Sequence, residues 1–264
     1  KVKPEHYLRL CLGNVGGLPV FQKESKSQHF IDQLRHFQVD VFMGTETGWN
    51  VHKIDAYNSW KNRSMALGRH VYRFNYNKHE IGNTHRSQAG GTFMLAMSAA
   101  SSRVFEKGAD PSGLGRWTWM RIQGRHGHFT RIISAYRPCA NDKGLSTVYS
   151  QQQTFWRNKG KFECPLVMFD RHLKEQLEEW KFTGDHMILG IDVNDDARTS
   201  PFAMMLRRMG LTEAILELNQ TDDPPETCNK NQNRKPIDGL YVTPGITPTA
   251  AGYTNYGTVV DSDH

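Results

Sequence analysis

Residues 187 to 194 read Met-Ile-Leu-Gly-Ile-Asp-Val-Asn, an apolar run that ends in two polar side chains. A short run of this kind is typical of a buried β-strand, because Val, Ile and Leu fit a pleated surface. Asp192 and Asn194 are two positions apart, so an extended segment projects both from the same face. The stretch predicts a strand that carries a carboxylate and an amide to a sheet edge. Alternatively, 193 to 196 form a simple Asx turn, since Asn and Asp favour turns.

Polar side chains also accompany other apolar runs along the chain. These runs lie at 8–13, 39–44, 129–136 and 237–242. The polar residues at their ends, together with the last two residues of the chain, are Asn14, Glu46, Tyr136, Asp238, Asp263 and His264. Carboxylates, amides and histidine are groups that bind a divalent metal or a phosphate. Each is common in loops, so the order and setting of the whole set carry the information.

Six motifs in this order resemble those of the endonuclease/exonuclease/phosphatase superfamily, the deoxyribonuclease-like fold. They are Leu-Gly-Asn at 12–14, Thr-Glu-Thr at 45–47, Tyr-Arg-Pro-Cys at 136–139, Gly-Ile-Asp-Val-Asn at 190–194, Ile-Asp-Gly-Leu at 237–240 and Ser-Asp-His at 262–264. The resemblance covers nearly the whole chain. It implies a four-layered α/β/β/α sandwich, in which two mixed β-sheets pack face to face between helices. It also implies that the strand ends converge on one edge of the sandwich.

The remaining pattern predicts the same fold class, α/β (α+β). Further apolar runs predict strands at 70–75, 91–97 and 116–122. Apolar residues at helical spacing predict helices around Phe30, from Phe169 to Trp180, and after Pro201. Helices interspersed with hairpins indicate mixed sheets. The length suits one large core, so we expect residues 1–264 to be a single catalytic domain, cut at both ends.

Composition indicates the partner and the compartment. Lys and Arg total 33 against 27 acidic residues, a formal charge of +6, which favours a polyanion such as DNA. Basic loops at Lys78-His79, His85-Arg86 and 230–235 add to this preference. The four cysteines include no Cys-x-x-Cys pair, so we expect reduced thiols in an intracellular protein, nuclear or cytosolic and not secreted. No run of about 18 apolar residues is present, so we expect no membrane partner.

Glu46 and Asn14 are the candidate metal ligands. Mg²⁺ binds few protein carboxylates and keeps several waters, so one Glu with one amide is a reasonable ligand set. Mn²⁺ accepts the same oxygen ligands and is the expected substitute. A Glu at the end of an apolar strand is uncommon unless it is paired. The alternative is that Glu46 caps a loop or pairs with an arginine.

The resemblance implies catalytic roles for the carboxylates and the histidine. Asp192 would polarise the attacking water, Asn194 would contact the phosphate, and His264 would stabilise the phosphoryl charge or accept a proton. Adjacent residues in a strand point to opposite sides, so we expect His264 to pair with Asp238 or another carboxylate rather than with Asp263. Asp263 would instead approach the metal or the water.

Tyr136 and Arg137 are the candidates for contact with the substrate. The Tyr136 hydroxyl can donate a hydrogen bond to a phosphate oxygen or to the leaving group. The Arg137 guanidinium is a fork that suits phosphate. Alternatively, Tyr136 only packs against Pro138.

These features lead to one main hypothesis and two alternatives. The main hypothesis is a Mg²⁺-dependent endonuclease that nicks DNA by in-line attack of an activated water, of the retrotransposon-like or repair-like type that the resemblance implies, within a longer polypeptide with further domains. The first alternative is a phosphatase on phosphoinositides or small phosphate esters, which needs a narrow pocket. The second is a catalytically silent nucleic-acid-binding domain. Intact Glu46, Asp192 and His264 argue against the second.

Overall fold

The computed structural model of the protein describes residues 3–17, 24–50, 56–79, 87–140, 144, 146–219, 225–229, 235–260 and 262–264. Within these ranges the chain forms two β-sheets and seven α-helices. No helix in the described ranges is long and apolar enough to cross a membrane bilayer.

The first sheet has four strands, of which the first two are parallel. Its strands are β1 (Leu10–Asn14), β2 (Val41–Thr45), β3 (His70–Asn75) and β4 (Thr92–Met97). They are ordered β1-β2-β4-β3, with β4 antiparallel to both of its neighbours. Asn14 lies opposite Thr45 in the register. The polar residues that end β1 and β2 therefore lie side by side.

The second sheet has six strands and is also mixed. Its strands are β5 (Val104–Ala109), β6 (Trp117–Gln123), β7 (Phe129–Tyr136), β8 (His186–Asp192), β9 (Thr212–Glu213) and β10 (Asp238–Val242). The order is β5-β6-β7-β8-β10-β9, and only β7 and β8 are parallel among its described neighbours. Asp192 lies opposite Tyr136 on one side and Asp238 on the other. Three of the predicted site residues are thus adjacent across three strands.

The helices lie on the outer faces of the sheets or in connections between strands. They are α1 (Glu24–His36), α2 (Ala56–Ser64), α3 (Ser98–Ser101), α4 (Val148–Asn158), α5 (Pro165–Phe182), α6 (Pro201–Arg208) and α7 (Ala214–Asn219). The hydroxyl of Ser200 caps α6 by accepting a hydrogen bond from the backbone N–H of Ala203, as the Ser-Pro start predicts.

Three apolar clusters separate four layers. Phe30 of α1 and Trp60 of α2 pack on the first sheet. Phe169 of α5 and Phe202 of α6 pack on the second sheet. The cluster between the two sheets consists of buried residues that include Val41, Met43, Met94, Ala96, Met120, Ile122, Ile132, Ile188 and Val242. The predicted α/β/β/α sandwich of two mixed sheets is confirmed.

The predicted helices around Phe30 and after Pro201 are both present. The first spans Glu24–His36, with Ser27 inside it and Phe37 beyond its end. In α6 the side chain of Met204 is 39% exposed, while Phe202 and Leu206 face the core. An eight-residue helix has room for only a narrow buried stripe.

Candidate active site

Two hydrogen bonds join the two sheets at the edge where the strands end. Asn14 Nδ2, at the end of β1, donates to Asp192 Oδ2, at the end of β8, over 3.0 Å. The Tyr136 hydroxyl, at the end of β7, donates to Glu46 Oε1, just after β2, over 2.5 Å. Parallel pairing within each sheet aligns these ends, and the face-to-face packing brings them together. The edge therefore collects side chains that are far apart in sequence.

Asp192 is fully buried at the centre of this edge. Besides the bond from Asn14, its Oδ1 accepts the backbone N–H of Asn194 over 3.1 Å. Burial raises the pKa of the Asp192 carboxyl well above its usual range, and the charges of Asp238 and Glu46 raise it further against the opposing effects of His264 and Asn14. Asp192 is therefore a carboxyl that takes up a proton readily.

The His264 ring pairs with Asp238, one of the carboxylates that the sequence left open, although residues 262–264 form no strand. Its Nδ1 lies 2.7 Å from Asp238 Oδ2. Burial lowers the pKa of the His264 ring, but the hydrogen bond and charge of Asp238, together with the charges of Asp192 and Glu46, outweigh burial and raise that pKa to about 9. The ring is consequently an imidazolium at neutral pH.

The acidic groups and the histidine form a compact set. One potential ligand atom from each of Asp192, Asp238 and His264 lies within 4.8 Å of the other two. The second oxygen of Asp238, Oδ1, is buried and has no hydrogen-bond partner within the described ranges. A buried carboxylate oxygen without a partner is costly unless a cation or a substrate proton supplies one. Asp238 Oδ1 is thus available to bind a cation or to accept a hydrogen bond from a substrate.

Glu46 occupies a strained backbone position at the same edge. Its φ of 54° lies in the left-handed region, which is unfavourable for a side chain of this kind. Its backbone oxygen accepts the N–H of Gly17 over 2.8 Å. The half-buried side chain pairs with no arginine in the described ranges, and its Oε2 has no hydrogen-bond partner there. Strain with an open carboxylate oxygen is typical of a functional residue.

Tyr136 is nearly buried and points its hydroxyl into the edge. Burial raises the pKa of the phenol well above its usual range, and the neighbouring Glu46 and Asp192 charges raise it further. The hydroxyl therefore remains a donor across the neutral range.

Asn194 lies in a turn and still belongs to the edge. Its φ is 51°, and its Nδ2 donates to the backbone oxygen of Arg137 over 2.7 Å. The bond from its N–H to the Asp192 carboxylate is that of an Asx turn. The turn and the site are therefore the same feature, because the turn places Asn194 beside Tyr136.

Arg137 and Asp263 have other partners in the structure. The Arg137 fork donates to both oxygens of Asp170 in α5, over 2.7 and 3.0 Å, and the residue is only 9% exposed. Its guanidinium ties α5 to the end of β7 and is not an open fork at the surface. Asp263 is half-buried, and its backbone oxygen accepts the N–H of Asn229 over 2.9 Å. Asp263 does not belong to the three-residue set described above.

A cleft of about 310 Å³ opens beside Glu46, and its outer wall was not predicted from the sequence. Its lining residues are Gly16, Gly17, Glu46, Gly48, Ser87, Gln88, Ala89, Gly90 and Ser146. The signal in the sequence is the Gly90-Gly91 pair, in which both residues have φ near 90°. A Cβ on Gly91 would lie 2.3 Å from Thr47 Oγ1, so only glycine allows this close approach.

The predicted basic loops are partly described. Lys78 and His79 follow the end of β3, at the same edge of the sandwich as the candidate active site. His79 Nε2 lies 2.9 Å from the backbone oxygen of Ser112. Lys235 Nζ lies 3.9 Å from Asp196 Oδ2. His85, Arg86 and residues 230–234 lie outside the described residues.

Comparison with known proteins supports the fold. No family model and no curated protein matches the sequence. The AP endonuclease LMAP from Leishmania major has a similar structure, with a TM-score of 0.59 at 14% identity, over 90% of this chain and 79% of that chain. So does the endonuclease domain of TRAS1, a telomere-specific non-LTR retrotransposon, with a TM-score of 0.55 at 14% identity, over 97% and 94%. A mannosyl-6-phosphatase from Bacteroides thetaiotaomicron has a TM-score of 0.55 at 12% identity, over 90% and 86%.

These similar structures include nucleases and a phosphatase, so at such low identity they establish architecture rather than substrate. The architecture agrees with the six motifs of the sequence and with the edge at which their residues meet. The chain therefore has the deoxyribonuclease-like fold of the endonuclease/exonuclease/phosphatase superfamily.

Proposed function

We propose that this protein is a divalent-metal-dependent phosphodiesterase, an endonuclease that nicks DNA, with residues 1–264 as one catalytic domain. The observation that carries the proposal is the pair of bonds between the sheets, from Asn14 to Asp192 and from Tyr136 to Glu46. They hold a proton acceptor, a hydroxyl donor and a candidate metal ligand at one edge. Phosphodiester hydrolysis needs these groups within a few ångströms of one another.

The residues at the edge fit Mg²⁺ or Mn²⁺. Glu46 Oε2 is open within the described ranges, and the Asn14 side-chain oxygen accepts one bond, from the N–H of Gly16 over 3.0 Å, which leaves it a second lone pair. Both are hard oxygen ligands of the kind that Mg²⁺ prefers. A metal ion held by Glu46 and Asn14 would neutralise charge on the phosphoryl oxygens.

The neighbouring side chains have the other roles that phosphodiester hydrolysis requires. Asp192, with its raised pKa, accepts the proton of the attacking water. His264, charged at neutral pH and held by Asp238, stabilises the charge that develops on the phosphoryl group. Tyr136 donates a hydrogen bond to a phosphate oxygen or the leaving group, and Asn194 contacts the phosphate. Arg137 supports this edge from behind through Asp170.

The Asp238→Asn variant is expected to lose activity at a lower pH than the wild type. Asp238, with the charges of Asp192 and Glu46, raises the pKa of His264 to about 9, so the imidazolium persists up to about that pH and is lost above it. Asn supplies no charge, so the pKa should fall and the alkaline limb of the profile of kcat against pH should move down by roughly one unit or more. Alkaline limbs at the same pH in both proteins would contradict the role of His264.

DNA affinity is expected to fall steeply as the salt concentration rises. The net charge of +6 and the basic residues Lys78 and Lys235 near the active edge favour contacts to several phosphates. Each phosphate neutralised on duplex DNA contributes a slope of roughly 0.9 in log K against log salt. The test measures DNA affinity at low and moderate salt, together with turnover of a soluble phosphoinositide headgroup. Absent or salt-insensitive DNA binding with efficient phosphate release would favour the phosphatase alternative.

A further inference from the structure

Three buried side-chain amides brace the outer wall of the cleft. Asn77 follows β3, Gln88 precedes β4 and Gln151 lies in α4, and none is more than 4% exposed. Gln151 Oε1 accepts hydrogen bonds from Asn77 Nδ2 over 2.9 Å and from Gln88 Nε2 over 3.2 Å. Its Nε2 donates to the backbone oxygens of Ala89, over 3.4 Å, and Ser146, over 2.9 Å. A side-chain amide can make two bonds of each kind, so Gln151 uses its full capacity.

The segment that Gln151 holds is bonded in turn to the residues after Glu46. The N–H of Gly48 donates to Gly90 O over 3.0 Å, and the N–H of Gln88 donates to Gly48 O over 3.1 Å. The N–H of Thr47 lies 3.4 Å from Gly91 O. These bonds form a continuous route from α4 to the turn at 46–48. That turn contains the strained backbone of Glu46, which persists only if its surroundings hold it.

The first turn of α4 also packs closely against this segment. A Cβ built on Gly90 would lie 3.0 Å from Val148 Cγ2, at the first residue of α4. Gly90 has a φ of 91°, a backbone conformation that residues with a side chain rarely adopt. The helix thus contacts the wall both through Val148 and through Gln151.

We infer that Gln151 is a positioning residue, which fixes the turn carrying Glu46 and so sets the affinity of the site for a divalent metal. The part that concerns the metal rests on the proposed function. Buried polar partners outside a metal's own ligand set commonly determine how tightly the metal binds. A fully bonded buried amide that reaches the ligand through backbone bonds can act in the same way.

The test compares Gln151→Met with Gln153→Met. Met has nearly the shape of Gln but cannot form these hydrogen bonds, and Gln153 is a half-buried residue of the same helix whose side chain makes no hydrogen bond within the described ranges. Hydrogen exchange of the backbone amides at 46–48 and 88–91, without metal, should be at least tenfold faster in Gln151→Met and unchanged in Gln153→Met. Calorimetric titration with Mg²⁺ should show affinity roughly tenfold weaker in Gln151→Met only.

Circular dichroism and thermal melting establish that the variants are folded. If Gln151→Met does not fold, Gln151→Glu is used, because it keeps the accepting oxygen and loses both donated bonds, and the same changes are expected. Wild-type exchange at 46–48 in a folded variant would overturn the inference. Faster exchange with unchanged Mg²⁺ affinity would overturn its metal part. A wild-type protein that binds neither Mg²⁺ nor Mn²⁺ would overturn the proposed function, while the exchange comparison would still decide whether Gln151 holds the turn.

Discussion

The Asp192→Asn variant is expected to nick DNA in the presence of Mg²⁺ at least roughly 10²-fold more slowly than the wild type, the scale of losing a general base. Asn keeps the shape of Asp192 and retains an oxygen for the N–H of Asn194. It cannot take up a proton, and the neighbouring bond from Asn14 loses its charged acceptor. The measurement is kcat on plasmid DNA, with DNA affinity determined separately. Affinity should change little by comparison, since Asp192 acts on the water.

The matched control is Asp195→Asn. Asp195 lies three positions along the same turn and is exposed, and within the described part of the chain its carboxylate accepts one bond, a local one from the N–H of Asp196. This variant loses the same charge and should keep nearly the full rate. A folded Asp192→Asn protein with near-wild-type nicking would remove Asp192 from the mechanism.

The Asp110→Ala variant is expected to lower the free energy of unfolding by roughly 3–5 kcal/mol, the scale of leaving one partner of a buried ion pair alone. Asp110 accepts bonds from Arg116 Nε over 2.7 Å and Nη2 over 2.8 Å, and both side chains are at most 1% exposed. The backbone oxygen of Arg116 accepts the N–H of Tyr136 over 2.8 Å. The pair therefore supports the strand end that carries Tyr136. The measurement is the urea midpoint at constant m-value.

Acid should remove the same stabilisation. Burial alone would raise the pKa of Asp110, but the hydrogen bonds and charge of Arg116, with bonds from Ser112, hold that pKa below the ordinary 3.8. The contribution of Asp110 to the free energy of unfolding is therefore complete above the pKa of this carboxyl in the unfolded chain. It is lost as the pH falls through the lower pKa that the carboxyl has in the folded protein. Glu178→Ala is the control, because Glu178 pairs with Lys174 at the surface, where both side chains are more than 40% exposed. Equal urea midpoints for Asp110→Ala and Glu178→Ala would show that the Asp110–Arg116 pair does not stabilise the folded protein.

The sequence predicted strands best where apolar residues run without interruption. The strands β2, β4 and β8 are covered on both faces by other layers, so nearly every one of their side chains is buried. By contrast, β5 (Val104–Ala109) was missed because it is an edge strand whose middle residues are exposed. The pattern also missed α4, in which the amides Gln151 and Gln152 are buried beside Phe155 and Trp156 and interrupt the apolar stripe. Hydrophobic periodicity is a weak signal where half of the buried face consists of amides.

The candidate site could be predicted as far as local geometry determines it. The sequence named Asp238 among the possible partners of His264, but residues 262–264 form no strand, so the choice of Asp238 comes from tertiary packing. The partner of Arg137 could not be predicted, because Asp170 lies on α5 and reaches Arg137 only through the packing of that helix on the second sheet. The wall of the cleft likewise depends on tertiary hydrogen bonds to Gln151. Local patterns identify the polar residues, and packing decides which of them remain open to a ligand.

The most direct test of the central claim is nicking of supercoiled plasmid by the wild-type chain, in Mg²⁺ and in excess chelator, with Asp192→Asn in parallel. We predict that Mg²⁺ permits conversion of the supercoiled form to the nicked circle, that chelator abolishes it, and that Asp192→Asn converts roughly 10²-fold less per unit time. Plasmid that stays supercoiled with the folded wild-type protein in Mg²⁺ and in Mn²⁺, or nicking that continues in chelator, would contradict a metal-dependent endonuclease.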